Sequence, residues 1–177
     1  MNTGQMMITI GAIFLLAMVI LRVNTNLLVT QNVLSNSKVN LIATSLATSA
    51  IEEITSKRFD QQTVSNTVLY ATNLTPTNSL GIESGDVYPN FNDIDDYNDF
   101  YSDPKIDSIE VDEDRKFYFE TFCHIYYVSS SSPGTVSGSQ TWDKRIDVKV
   151  TGDAMIDEET GIQDTIKMST IMSYWFF

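Results

Sequence analysis

No charged side chain occurs between Met1 and Leu21, and residues 6–21 are apolar apart from Thr9. As a helix these sixteen residues extend roughly 24 Å, slightly short of a bilayer core of about 30 Å. Gly4, Gln5 and some tilt or bilayer thinning make up the difference. Twelve of the sixteen side chains are Met, Ile, Leu, Val or Phe. Hiding them from water is worth on the order of 20–30 kcal/mol. A chain that begins this way must place its first helix in a membrane or against other protein.

Three readings of the segment compete. A cleavable secretory signal calls for a basic n-region and a small-residue cleavage site. Here no Lys or Arg precedes Arg22, and Leu21-Arg22-Val23-Asn24 offers no such site. A core helix is the second reading, but an all-round apolar helix at an extreme terminus is an awkward core element. The third, a retained membrane or assembly segment, is the expectation.

The remainder of the chain differs in character. Its 23 Asp and Glu against 11 Lys and Arg set a net charge of −12, which argues against nucleic acid as a partner. Cys123 is the only cysteine and His124 the only histidine, so neither an internal disulfide nor a Cys/His zinc site is available. Adjacent strand residues point to opposite faces, which separates Cys123 from His124 as a nucleophile and base. No phosphate-binding glycine loop, G-x-S-x-G or H-E-x-x-H occurs. No enzymatic role and no catalytic residue are therefore expected. Cys123 reads as a small buried hydrophobe.

Beyond Arg22, no proline appears until Pro76 and no glycine between Gly11 and Gly81. Val39, Ile42, Leu46, Ala50 and Ile54 recur at helical spacing, widened by Ala43, Ala47 and Ile51. Glu53 and Lys57 are placed for an i,i+4 ion pair, and Lys57 and Arg58 complement a helix C-terminus. The pattern predicts one helix of about fifty residues, ending near Phe59. Residues 23–33 are rich in Val, Thr and Asn, poor helix formers, and could unwind if the tip were held elsewhere. The alternative is a helix kept intact by packing.

Residues 60–104 carry Pro76, Gly81, Gly85, Pro89 and Pro104 among many Asn, Ser and Asp, and read as irregular. Three strands follow, over 115–128, 142–151 and 165–177, with a Ser/Gly/Pro loop over 129–139. In the first, Phe117, Phe119, Thr121, Cys123, Ile125 and Tyr127 share a face; in the second, Ile146, Val148 and Val150 do. An antiparallel meander laid on the second half of the helix buries both apolar faces. The expected fold is α+β: a long N-terminal α-helix, apolar at the tip and amphipathic beyond, packed on a small antiparallel sheet. Residues 1–59 form the membrane or assembly helix, and 60–177 a β-rich head with an acidic loop at 83–114.

This architecture resembles a type IV pilin or pseudopilin. The block Phe91-Asn92-Asp93-Ile94-Asp95-Asp96-Tyr97 is similar to the F-D-D-V-D-D-Y motif of minor pilins of the mannose-sensitive haemagglutinin type. The phrase from Lys144 to Thr151, and the closing Met168-Ser169-Thr170-Ile171-Met172-Ser173-Tyr174-Trp175, are similar to the strands of such proteins. Family members carry a basic leader, a glycine cleavage site and Glu at the fifth mature position. If Met1 is the terminus, Gln5 stands there as a neutral isostere; if cleavage follows Gly4, Thr9 does. The resemblance implies a structural subunit that waits in the inner membrane. Assembly machinery then polymerises it through its N-terminal helix into a homo-oligomeric helical surface filament. A minor pseudopilin of a secretion system and a membrane-tethered extracellular binding module are the alternatives. The assembly contacts expected are Gln5, Met6, Ile10, Ile13, Phe14, Leu16 and Ile20, with Trp175 and Phe177 at the aromatic end.

Residues 83–114 hold 12 of the 23 acids and one base, Lys105. Asp93, Asp95, Asp96 and Asp99 are close enough to offer oxygens to Ca²⁺, which accepts six to eight, although the spacing is not that of an EF-hand. The competing reading is a solvated loop with Asx-type turns and no cofactor. Asn73-Leu74-Thr75 is a glycosylation sequon in a loop. Among Tyr174, Trp175, Phe176 and Phe177, some are expected in the core and the rest at a subunit contact.

Overall fold

A computed structural model describes residues 3–112, 115–156 and 161–175. Helix α1 (Thr3–Thr55) is continuous, so residues 23–33 remain helical despite their composition. Thr25 and Thr30 there turn their hydroxyls back onto the carbonyls of Leu21 and Asn26, 2.9 and 2.8 Å away. That is how a hydroxyl side chain accommodates itself in a helix interior.

The chain divides into two compact units, residues 1–39 and 40–177. The boundary falls inside α1 rather than near residue 59, so the last turns of the helix belong to the head. In the first unit every residue from 3 to 38 is exposed.

The second unit is the α+β head. Strands β1 (Lys105–Asp112), β2 (Arg115–Ser129), β3 (Ser132–Val136), β4 (Asp143–Gly152) and β5 (Ile166–Ser173) form one antiparallel sheet. Its order is β1-β2-β4-β5, with β3 also pairing on β2. The long strand β2 pairs with β4 from Phe119↔Gly152 to Val128↔Asp143. Its other edge takes β1 at the start (Lys105↔Thr121) and β3 at the end (Val128↔Val136). The three expected strands are present; β1 and β3 are additions, the second lying where a loop was expected.

The predicted faces hold, except that Phe117 at the start of β2 is only half-buried. Phe119, Thr121, Cys123, Ile125 and Tyr127 of β2 are buried, as are Ile146, Val148 and Val150 of β4. From α1 the head takes Ala43, Ala47 and Ile54 as its most buried contributions, while Ile42, Leu46 and Ala50 are half-buried. The stripe is therefore centred on two alanines. Thr48 Oγ1 reaches Met168 Sδ on β5 at 3.7 Å. The expected Glu53–Lys57 pair does not form: Glu53 accepts from the Tyr97 hydroxyl at 2.8 Å, and Lys57 donates to the Phe91 carbonyl at 2.9 Å.

Between helix and sheet the chain is irregular, with a short helix α2 (Gln61–Ser65) and 3-10 turns at Ala71–Asn73 and Asp95–Tyr101. Asp60 caps α2. The backbone pins the segment before the second turn to the end of α1: Arg58 N–H donates to Asn92 O, and Ile94 N–H to Arg58 O.

Candidate functional site

Two features stand out, one in each unit. The first is the surface of α1. Met6, Ile10, Ile13, Phe14, Leu16 and Ile20 are exposed, as is Gln5. An 18-residue window of this helix has a mean hydropathy of 2.5 and no buried residue. By length and composition the helix can cross a membrane. The apolar surface also continues past the uncharged run, through Val23, Leu27, Leu28, Val29, Val33 and Leu34.

The second feature is a buried acidic cluster in the head. Ile94, Tyr97 and Phe100 recur every third residue, which puts them on one face of a 3-10 helix. Tyr97 and Phe100 form an aromatic cluster with Tyr88 and Phe91, Phe91 and Tyr97 meeting edge to face at 4.9 Å. Burying these rings carries the intervening acids inside. Asp93, Asp95 and Asp96 are fully buried, while Asp99 is exposed. The four aspartates therefore do not converge on one point.

Each buried aspartate has its own role. Asp93 Oδ1 accepts the N–H groups of Asp95 and Asp96 at 2.7 and 3.3 Å, an Asx turn of the expected kind but in the interior. Asp96 Oδ2 accepts from the N–H of Asn92 at 3.0 Å and of Asp93 at 3.4 Å. Asp95 Oδ1 forms a short hydrogen bond with Lys144 Nζ. Lys144 is itself fully buried; it also donates to Asp60 Oδ2 at 2.8 Å and to the Phe59 carbonyl at 3.0 Å, satisfying its three donors. Its ammonium lies over the rings of Phe59 and Tyr127 at 4.7 and 4.8 Å.

Negative charge is left over. Burial, opposed in part by Lys144 and reinforced by Asp93 and Asp60, holds Asp95 well above the ordinary aspartate range. Burial, followed by the Asp96 charge, pushes Asp93 up to about 6. Glu83 approaches from the preceding loop and is raised to about 7 by burial and then by Asp93 and Asp96. Carboxylate oxygens of Glu83, Asp86 and Asp96 lie within 4.8 Å of one another. Sequence reasoning missed Glu83 and Asp86, which lie outside the motif that drew attention to the aspartates. It also missed Lys144, although its parity with Ile146, Val148 and Val150 marked it as inward-facing.

No protein-family model, curated protein or solved structure matches this chain.

The remaining candidates are placed as follows. Trp175 is 74% exposed, beside a surface groove lined by Lys57, Arg58, Thr63 and Tyr174. Tyr174 stacks on Trp142 at 5.7 Å and meets Phe59 at a tilt at 5.6 Å. The aromatic end is thus divided between a tucked tyrosine and an exposed tryptophan; Phe176 and Phe177 lie outside the described residues. Cys123 is buried, its thiol pushed up to about 12 chiefly by burial. His124, on the other face, stacks on Tyr101 at 4.4 Å. In the sequon Asn73 is exposed, while the buried Thr75 hydroxyl donates to Asp60 Oδ1 at 3.0 Å.

Proposed function

We propose that this chain is a structural subunit of a type IV pilin-like filament, held in a membrane by its apolar helix before assembly. The observation that carries the proposal is the reach of the exposed apolar surface. From Met6 to Leu34 it runs over roughly 43 Å of helix, well beyond a bilayer core of about 30 Å. A bilayer alone leaves the second stretch in water, whereas a bundle of like helices covers both.

The placement of the outer apolar residues supports a helical partner. Val23, Leu27, Leu34 and Leu41 are all exposed and separated by four, seven and seven residues, which places them along one stripe of a helix. Leu41, 71% exposed, precedes the buried Ala43 by two residues, about 200° around the helix. Leu41 therefore points away from the side of α1 that the head covers. Gln5 and the residues from Met6 to Ile20 extend the contact toward the tip. No cofactor drives this role, and separate assembly machinery extracts the subunit from the membrane.

The test is electron microscopy of material sheared from producing cells, with the subunit identified by mass spectrometry. Helical filaments built from this chain are expected, and Phe14→Asp should abolish them while the head stays folded. A chain that leaves the membrane in detergent as a monomer and never polymerises overturns the proposal.

A further inference from the structure

Five buried oxygens in the acidic region have no hydrogen-bond partner among the described residues: Glu83 Oε2, Asn92 Oδ1, Asp93 Oδ2, Asp95 Oδ2 and Asp96 Oδ1. Buried acceptors left this way are costly, and carboxylates more so. Lys144 cannot answer for them, because its three donors are already used by Asp60, Asp95 and the Phe59 carbonyl. Asp96 is the decisive case. It is fully buried and its Oδ2 is held by two backbone N–H groups, which leaves Oδ1 for another occupant.

The surroundings are shaped for that occupant. A turn places the Asp86 N–H 3.2 Å from the Glu83 carbonyl, with Gly85 at φ +111°, where a side chain is strained. Glu83 and Asp86 thereby face Asp96, with oxygens of all three within 4.8 Å of one another. Two oxygens bound to one Ca²⁺ at 2.3–2.6 Å lie up to about 5 Å apart, so each separation within the trio is compatible with a shared ion. Asn92 donates to Asp86 Oδ2 at 2.7 Å and orients that carboxylate.

We propose that Glu83, Asp86 and Asp96 bind one Ca²⁺, with water completing the shell. Three carboxylates favour calcium over magnesium, which keeps most of its water and demands octahedral geometry. The absence of His and Cys from the trio disfavours zinc. Asp93 stands behind the site as a further negative charge, while Asp95 belongs to Lys144 and the exposed Asp99 takes no part. The alternative occupant is a proton shared between Glu83 and Asp96.

Full-length protein in detergent, stripped with EGTA, decides between them. Calorimetric titration with CaCl₂ should give one Ca²⁺ per chain. The melting temperature of the head should rise by roughly 5–10 °C at a hundredfold excess over Kd. Magnesium at the same concentration should shift it less. Glu83→Gln can donate an amide hydrogen to Asp96, so it should fold, as judged by circular dichroism, yet bind calcium about tenfold more weakly or worse. Asp86→Asn should do the same. Wild-type protein that neither binds nor shifts, or variants that respond as wild type does, would overturn the site. An equal response to magnesium would overturn the assignment to calcium. The filament proposal stands or falls separately, since this readout needs no polymer.

Discussion

Lys144 Nζ lies 2.8 Å from Asp60 Oδ2, and both side chains are fully buried although 84 residues separate them. Asp60 also accepts from Gln62 N–H, Thr75 N–H, the Thr75 hydroxyl and the Tyr127 hydroxyl. One carboxylate thereby ties the start of α2, the following loop and two central strands together. Removing one partner of a buried ion pair leaves an uncompensated charge and typically costs about 3–5 kcal/mol. Lys144→Met is expected to destabilise the head by about that amount in denaturant melts. Asp60→Asn should cost more than Asp95→Asn, because Asp95 has Lys144 as its only side-chain hydrogen-bond partner among the described residues. Equal losses in the two aspartate variants would contradict this ordering.

The same carboxylate sets an acid limit. Burial alone would raise Asp60, but the Lys144 charge and the hydrogen bonds from Lys144, Gln62 and Tyr127 outweigh it, holding the group below its ordinary 3.8. The unfolded chain therefore binds this proton more readily than the folded one. Stabilisation by Asp60 is complete above the unfolded value and is lost as pH falls through the folded value. The gap in melting temperature between wild type and Asp60→Asn should narrow below about pH 4. A gap that stays constant down to pH 2 would rule this linkage out.

Gly152 ends β4 with no room for a side chain. A Cβ there would sit 2.8 Å from the Tyr118 carbonyl oxygen and 2.9 Å from Phe119 Cδ1. The oxygen belongs to the backbone and the ring is buried, so neither yields easily. Gly152→Ala should destabilise by about 1–3 kcal/mol, as overpacking does. Gly138→Ala, with open space around its Cβ, is the control and should be near neutral. Thermal melts of the two variants make the comparison.

Leu34 and Leu41 separate assembly from folding. Both are exposed, so replacing either with Glu should leave the melting temperature of the head unchanged. In the proposed helix bundle each substitution buries a carboxylate in an apolar seam, and filament yield should fall at least tenfold. Yield is read from sheared fractions. Undiminished filaments would remove this face from the interface.

Much of the fold is local and was legible. A run of side chains with no charge, followed by an apolar period near 3.6, specifies a long helix whatever it packs against. Alternation over Phe119–Tyr127 and Ile146–Val150 specifies which strand face turns inward, because the pleat has period two. The extra strands gave no comparable signal. β3 is Ser-Pro-Gly-Thr-Val, a turn composition, exposed along its whole length and tolerated at a sheet edge. β1 lies at the other end of the same β2 edge, within the acidic region, where charge masks its alternation.

The sequence by itself determined the long helix, strands β2, β4 and β5, the buried parity of the central strands and the unpartnered apolar tip, since each depends on neighbours within a few residues. Only the tertiary structure decided where the charges went. Glu53 and Lys57 were spaced to pair, yet each found a fixed partner on the 91–97 segment. An exposed helical pair contributes only tenths of a kcal/mol, so contacts made on burial override it. Asp93, Asp95 and Asp96 sit in one short motif but are divided among an Asx turn, a lysine 49 residues away and two acids from an earlier loop. Buried charge must be matched wherever the matching group lies in space, and chain spacing does not encode that distance.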